Sequence, residues 1–123
     1  MEQPLNQLPG TQSYKAAADL SSKQYYAVRV TAEGSVNVGN DTTLAIGILQ
    51  NKPLSAGTAD VQCYGISPAI GGGSISAGDP VKVNSSGKLV AASTGNTAIG
   101  IARSDCGGDG QQFNVQLLPH VAL

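Results

Sequence analysis

Val28-Arg29-Val30-Thr31-Ala32-Glu33-Gly34-Ser35-Val36-Asn37-Val38 is the stretch that decides the fold, because it is written a second time as Val81-Lys82-Val83-Asn84-Ser85-Ser86-Gly87-Lys88-Leu89-Val90-Ala91. In each copy Val alternates with a charged residue, the signature of a half-buried strand. A four-residue turn with Gly in fourth place follows (Gly34, Gly87), and a second short apolar strand returns. Each copy therefore encodes a β-hairpin. The spacing of Val28 and Val81 is 53 residues (81 − 28), and it also carries Ala45-Ile46-Gly47-Ile48 onto Ala98-Ile99-Gly100-Ile101. With one residue inserted, Val61-Gln62 matches Val115-Gln116. The same elements in the same order predict two related β units. The Ala-Ile-Gly-Ile segments are apolar on both faces, as a central or barrel-lining strand should be, and their Gly marks a bend or a close backbone approach. Asp60 to Ile66 and Gln112 to Leu118 read as the closing strands of the two units.

Outside the repeat the chain changes character. Residues 1–18, with Pro4, Pro9 and Gly10 among Gln and Asn, hold no period and are expected as an extended N-terminal arm. Residues 19–123 are expected as a single β domain, with pseudo-repeat units at about 25–66 and 78–118. No segment sustains a helical period. The expected fold class is all-β: a compact β-barrel or sandwich built from two related β units, with the extended arm at its N-terminus. Composition agrees. The 123 residues contain 16 Gly, no Trp and one Phe, Phe113, and small and β-branched residues fill the remainder. Such a chain suits short strands and tight turns.

The same composition excludes several functions. Net charge is −1 and 12% of residues are charged, so no basic face exists to hold nucleic acid. So few charges fit a surface that spends its life packed against others. No apolar run approaches a membrane span, and no basic and apolar leader opens the chain. Cys63 and Cys106 form no CxxC and read as buried thiols in a reducing cytoplasm, with a pairing between them left open. The sole histidine, His120, lies beside Pro119 near the C-terminus, a poor place for an imidazole that must be held by packing. Asp105-Cys106-Gly107-Gly108-Asp109-Gly110 resembles the start of a calcium loop but has Gly107 in third place and Gln116 in twelfth, so it reads as a tight turn. Asp19, Asp60 and Asp79 are spread among turns. No enzyme activity, metal or other cofactor is expected.

Contact residues are sought among isolated apolar side chains. Leu5, Leu8, Pro9 and Tyr14 of the arm are the candidates for an interface with a partner or a further subunit, with Tyr25 beside them. Tyr25 and Tyr26 should face opposite sides of a strand, with Tyr26 on the core side with Val28 and Val30. The arm is expected to latch onto a neighbouring subunit or a partner's surface by filling pockets and adding its backbone to a sheet edge.

A family resemblance enters through four stretches. Asp19-Leu20-Ser21-Ser22-Lys23-Gln24-Tyr25-Tyr26-Ala27-Val28 resembles the opening strand of the small capsid cement, or decoration, proteins of tailed bacteriophages. Ala45-Ile46-Gly47-Ile48-Leu49-Gln50-Asn51-Lys52-Pro53 is similar to their central stretch, and Ile75-Ser76-Ala77-Gly78-Asp79-Pro80-Val81 and Ile99-Gly100-Ile101-Ala102 fit their pattern. The resemblance runs from about Asp19 to Leu118 and rests on the order of the motifs. It implies a structural protein that binds the outer surface of the head and reinforces the shell against internal DNA pressure. The partners it implies are the major capsid protein and further copies of itself, a trimer before a dimer. The expected location is the outer capsid surface of the virion, assembled in the host cytoplasm. The alternative is another phage structural or surface β-module, such as a tail, fibre or carbohydrate-binding domain, although the last would want an exposed aromatic platform and the chain has no Trp.

Overall fold

A computed structural model describes residues 11–123. Leu5, Leu8 and Pro9 lie outside the described residues. Within them are ten strands and no helix: β1 (Thr11–Ala16), β2 (Ala27–Ala32), β3 (Ser35–Val38), β4 (Gly47–Leu49), β5 (Thr58–Gln62), β6 (Gly65–Ile70), β7 (Pro80–Val83), β8 (Leu89–Ala91), β9 (Thr97–Ala102) and β10 (Gln112–Ala122). The first five close into a barrel in the order β1-β3-β2-β4-β5, and the last five form a sheet in the order β6-β10-β9-β7-β8. The fold is all-β.

The two sheets are the same construction. β1 pairs with β5 as β6 pairs with β10, and β4 joins β5 to β2 as β9 joins β10 to β7. Register agrees residue by residue. Val28 lies opposite Gly47 and Val81 opposite Gly100. In the hairpins Val30 pairs with Val36 and Val83 with Leu89. Even the closure recurs: β1 meets β3 in parallel at Ala16 and Val36, and an isolated parallel bridge joins Gly71 to Leu89. Both turns need their Gly, since Gly34 has φ +74° and Gly87 φ +83°, a left-handed conformation that costs other residues about 1 kcal/mol or more.

Gly47 and Gly100 serve a different end. A Cβ on Gly47 would overlap the carbonyl oxygen of Gln62, and one on Gly100 would overlap that of Gln116. Each repeat thus drives one strand against the backbone of the next, an approach that only hydrogen at Cα allows. Ile48 and Leu49 follow Gly47 and are both fully buried, on opposite faces. Leu49 packs inside the first barrel with Leu20, Val28, Val36 and Val61, whereas Ile48 packs with Val81, Leu89, Val115 and Phe113 of the second unit. β4 is therefore a wall shared by two cores. Polar groups seal the same seam: Ala27 N–H donates to Gly87 O at 2.9 Å, Ile70 N–H to Tyr25 O at 3.0 Å, and Gln50 Nε2 to the buried Ser67 Oγ at 2.9 Å.

Three expectations are corrected here. The arm does not extend to residue 18. Thr11–Ala16 is β1, antiparallel to β5 from Thr11 opposite Gln62 to Lys15 opposite Thr58, so the barrel needs it for closure. Asp60 to Ile66 is not one strand. β5 ends at Gln62, the chain turns through Gly65 at φ +87°, and β6 joins the second sheet. Tyr25 and Tyr26 are not alternating strand residues. Tyr25 has φ +70° and precedes β2, and it is Tyr25 that packs against the second core. Tyr26 is half-buried with the Lys23 ammonium 4.9 Å above its ring, and Val30 is 43% exposed because the β2–β3 hairpin tip projects beyond the core.

The glycine contact gives a direct test. Gly47→Ala and Gly100→Ala should each cost about 1–3 kcal/mol, since the obstructing atoms are backbone and cannot swing aside. Gly73→Ala, where a Cβ would meet nothing within 4 Å, should stay within about 0.5 kcal/mol of the parent. Urea unfolding of the three variants checks the ordering.

Candidate functional site

Four of the aspartates are engaged at turns and loops. Asp19 Oδ1 accepts from Ser21 N–H at 3.0 Å, and this backbone bond holds its carboxyl below the usual range. Asp79 Oδ2 accepts from Ser76 N–H at 3.0 Å. The two carboxylates of the calcium-like loop point to different partners: Asp105 Oδ1 accepts from Ala77 N–H at 2.8 Å, and Asp109 Oδ1 pairs with Lys88 Nζ at 2.8 Å. The Cys106 thiol is buried inside that loop, with Sγ 3.3 Å from Gly108 O. Among the described residues no three His, Cys, Asp or Glu side chains gather as a metal set. Cys63 and Cys106 are both free thiols. Burial pushes the Cys63 thiol up, and burial with Cys63 nearby pushes the Tyr14 phenol up. Tyr14 is half-buried against the first core and Tyr25 against the second, so each keeps part of its surface for contact.

What the surface offers instead is apolar. Ile66 on β6 lies opposite Gln116, Gln116 opposite Ile101 on β9, and Ile101 opposite Pro80 on β7, a row across four strands on one face. Ile66 is 52% exposed and Ile101 38%. The row meets the end of β10, where register shifts between Leu117 and Val121 and Pro119 removes a donor. That irregularity turns Leu118 and Val121 away from simple alternation. A hollow of about 110 Å³ lined by Pro80, Ile101, Leu118, Val121 and Leu123 opens on one side of Leu118. A wider groove of about 440 Å³, lined by Ala45, Ile46, Cys63, Tyr64, Pro119 and His120, opens on the other. His120 is thus one wall residue of an apolar groove. A polar hollow of about 280 Å³ lies between the loop at Asn40–Leu44, Lys82 and the turn at Gly95–Thr97, but its amides serve their own loops: Asn40 Oδ1 accepts from Thr43 N–H and Asn96 Oδ1 from Ser93 N–H.

Sequence reasoning missed this strip. Its one signal was a reversed alternation in β6, where Ile66 stands outside and Ser67 inside. Of the expected contact residues, the structure puts Tyr14 and Tyr25 on separate cores and does not bring them together.

A family model described as a phage cement protein matches residues 11–117. No curated protein matches the chain. Among solved structures, the N base of the head fiber protein gp8.5 of bacteriophage phi29 superposes with a TM-score of 0.68 at 15% identity, over 88% of this chain and 92% of that one. That likeness speaks for the fold. The family match takes in β1 to β9 and the first half of β10, and the chain belongs to the phage cement proteins.

Proposed function

We propose that this cement protein binds the outer face of the phage head through the major capsid protein, as a homo-oligomer, and there reinforces the shell. The carrying observation is the apolar strip of Ile66, Ile101, Val121 and Leu123, exposed around a half-buried Leu118 on a chain with only 12% charged residues. Apolar side chains gathered on β6, β9 and β10 differ from the singly scattered ones a monomer tolerates. Burying a central Ile in such a contact contributes about 1–2 kcal/mol. A trimer is the first expectation and a dimer the second. The segment before β1 carries Leu5, Leu8 and Pro9, and these apolar side chains are proposed among the contacts. Location on the virion surface follows from this reading, as does the absence of any catalytic step. A second reading, the foot of a longer head or tail fibre, is favoured only by the likeness to the head-fibre base.

Two outcomes are expected. Multi-angle light scattering should give a mass near three times the 12.4 kDa chain, and Ile66→Asp with Ile101→Asp should shift it to one chain while the circular dichroism stays β-type. Co-sedimentation with heads stripped of the protein should saturate at a fixed ratio, and each Asp substitution should weaken it roughly tenfold. A parent protein that stays in the supernatant would contradict the proposal.

A further inference from the structure

The hydrogen bonds that close the two units match almost donor for donor. Ala16 N–H donates to Gly57 O at 2.9 Å, and its counterpart Gly71 N–H to Gln111 O at 2.8 Å. Ala17 N–H donates to Val36 O and Gly72 N–H to Leu89 O, both at 2.8 Å. Leu20 N–H donates to Pro53 O and Ile75 N–H to Cys106 O, and Leu20 and Ile75 are each buried in their own unit's core. Tyr25, at φ +70°, answers to Gly78, at φ +93°, and the two donate to Leu49 O and Ala102 O, both at 2.7 Å. One bond breaks the match. In the first unit Lys15 N–H donates straight to Gly34 O at 2.8 Å, where the barrel closes. The counterparts of that pair, Ile70 N–H and Gly87 O, are each bonded to the first unit instead. Tyr25 O accepts from Ile70 at 3.0 Å, and Ala27 N–H donates to Gly87 at 2.9 Å. Tyr25–Ala27 therefore lies in the gap that leaves the second sheet open where the first is closed.

We propose that the two units depend on each other in one direction: the first folds and closes by itself, and the second is completed only when Tyr25–Ala27 is inserted between the end of β6 and the turn before β8. The cores show the same asymmetry. Tyr25, Ala27, Ala45 and Ile48 of the first unit pack into the second core, whereas every residue of the first core lies between Tyr14 and Cys63 in the chain. The insertion is not repeated. The counterpart of Ala27 is Pro80, which has no N–H to donate, and Gly34 O is already taken by Lys15. Ile66, Ile101 and Val121 stand on the dependent unit, so their presentation rests on the first. The inference goes beyond the cement reading and does not rest on it.

Val61 and Val115 are counterparts, each fully buried in one of the two cores, and aspartate at either buries an unpaired charge that its unit cannot hold. Both variants are made in the full chain, and their amide spectra are compared with the parent's by two-dimensional NMR. Val115→Asp is expected to lose the dispersed signals of β6–β10 and keep those of β1–β5. Val61→Asp is expected to lose both sets. A finer variant addresses the inserted segment. Ala27→Pro removes the N–H that reaches Gly87, and Pro80 shows that the backbone at this place in a unit accepts proline. Exchange of the Gly71 and Gly72 amides with solvent should then quicken about fivefold or more, with the dispersed signals of β1–β5 retained. Loss of both sets in Val115→Asp, an intact β6–β10 in Val61→Asp, or unchanged exchange in Ala27→Pro would overturn the proposal.

Discussion

Everything in this molecule rests on one close approach made twice. At Gly47 and again at Gly100 a strand lies so near its neighbour's backbone that no side chain fits between them. At Gly47 that contact places Ile48 and Leu49, both at 0% exposure, into two different cores. A strand of three residues thereby becomes the shared wall of both units. Tight packing of this kind leaves little room for relaxation, which is why a single methyl group at either glycine is costly. It also explains how a chain with one Phe and no Trp makes a solid body: small side chains fill a narrow barrel and the closely packed sheet beside it.

What could be read in advance was what is local. Each hairpin is written within about a dozen residues, with alternation, turn chemistry and glycine together, so the repeat and its two related units stood in the sequence. β1 did not. Thr11-Gln12-Ser13-Tyr14-Lys15 carries little apolar signal, and its strand forms only because β5, some 47 residues later at Ser13 and Asp60, offers an open edge. Long-range pairing leaves no local trace. Tyr25 was misplaced for a related reason, since alternation assumes an extended backbone and its φ of +70° breaks that assumption. The apolar strip was hidden most deeply. Ile66, Ile101 and Val121 are ordinary strand residues by type, and their exposure depends on which face the neighbouring unit happens to cover. The turn roles of Asp19 and Asp79 were easier to anticipate, because each accepts from a backbone N–H within two or three residues.

The physical character of the protein suits a cement. Many of its polar side chains are engaged at seams and turns, and the buried side-chain polar atoms described all have partners. Its outer face shows neutral side chains and an apolar strip in place of charge. Association of such a surface is driven by water release and shape, so it tolerates salt far better than an ion-paired contact. Two cores joined through β4, with hydrogen bonds across the seam, tie the two units together. Many copies bound to one shell add their modest individual strengths.

The central claim, that this fold strengthens a head by binding it, is tested most directly by heat. DNA-filled heads lacking the protein are warmed with a dye that fluoresces on released DNA, with and without the purified protein added back. The account predicts that release moves to higher temperature as the protein is titrated in, and stops moving once binding saturates. Saturated binding with no shift in the release temperature would contradict it.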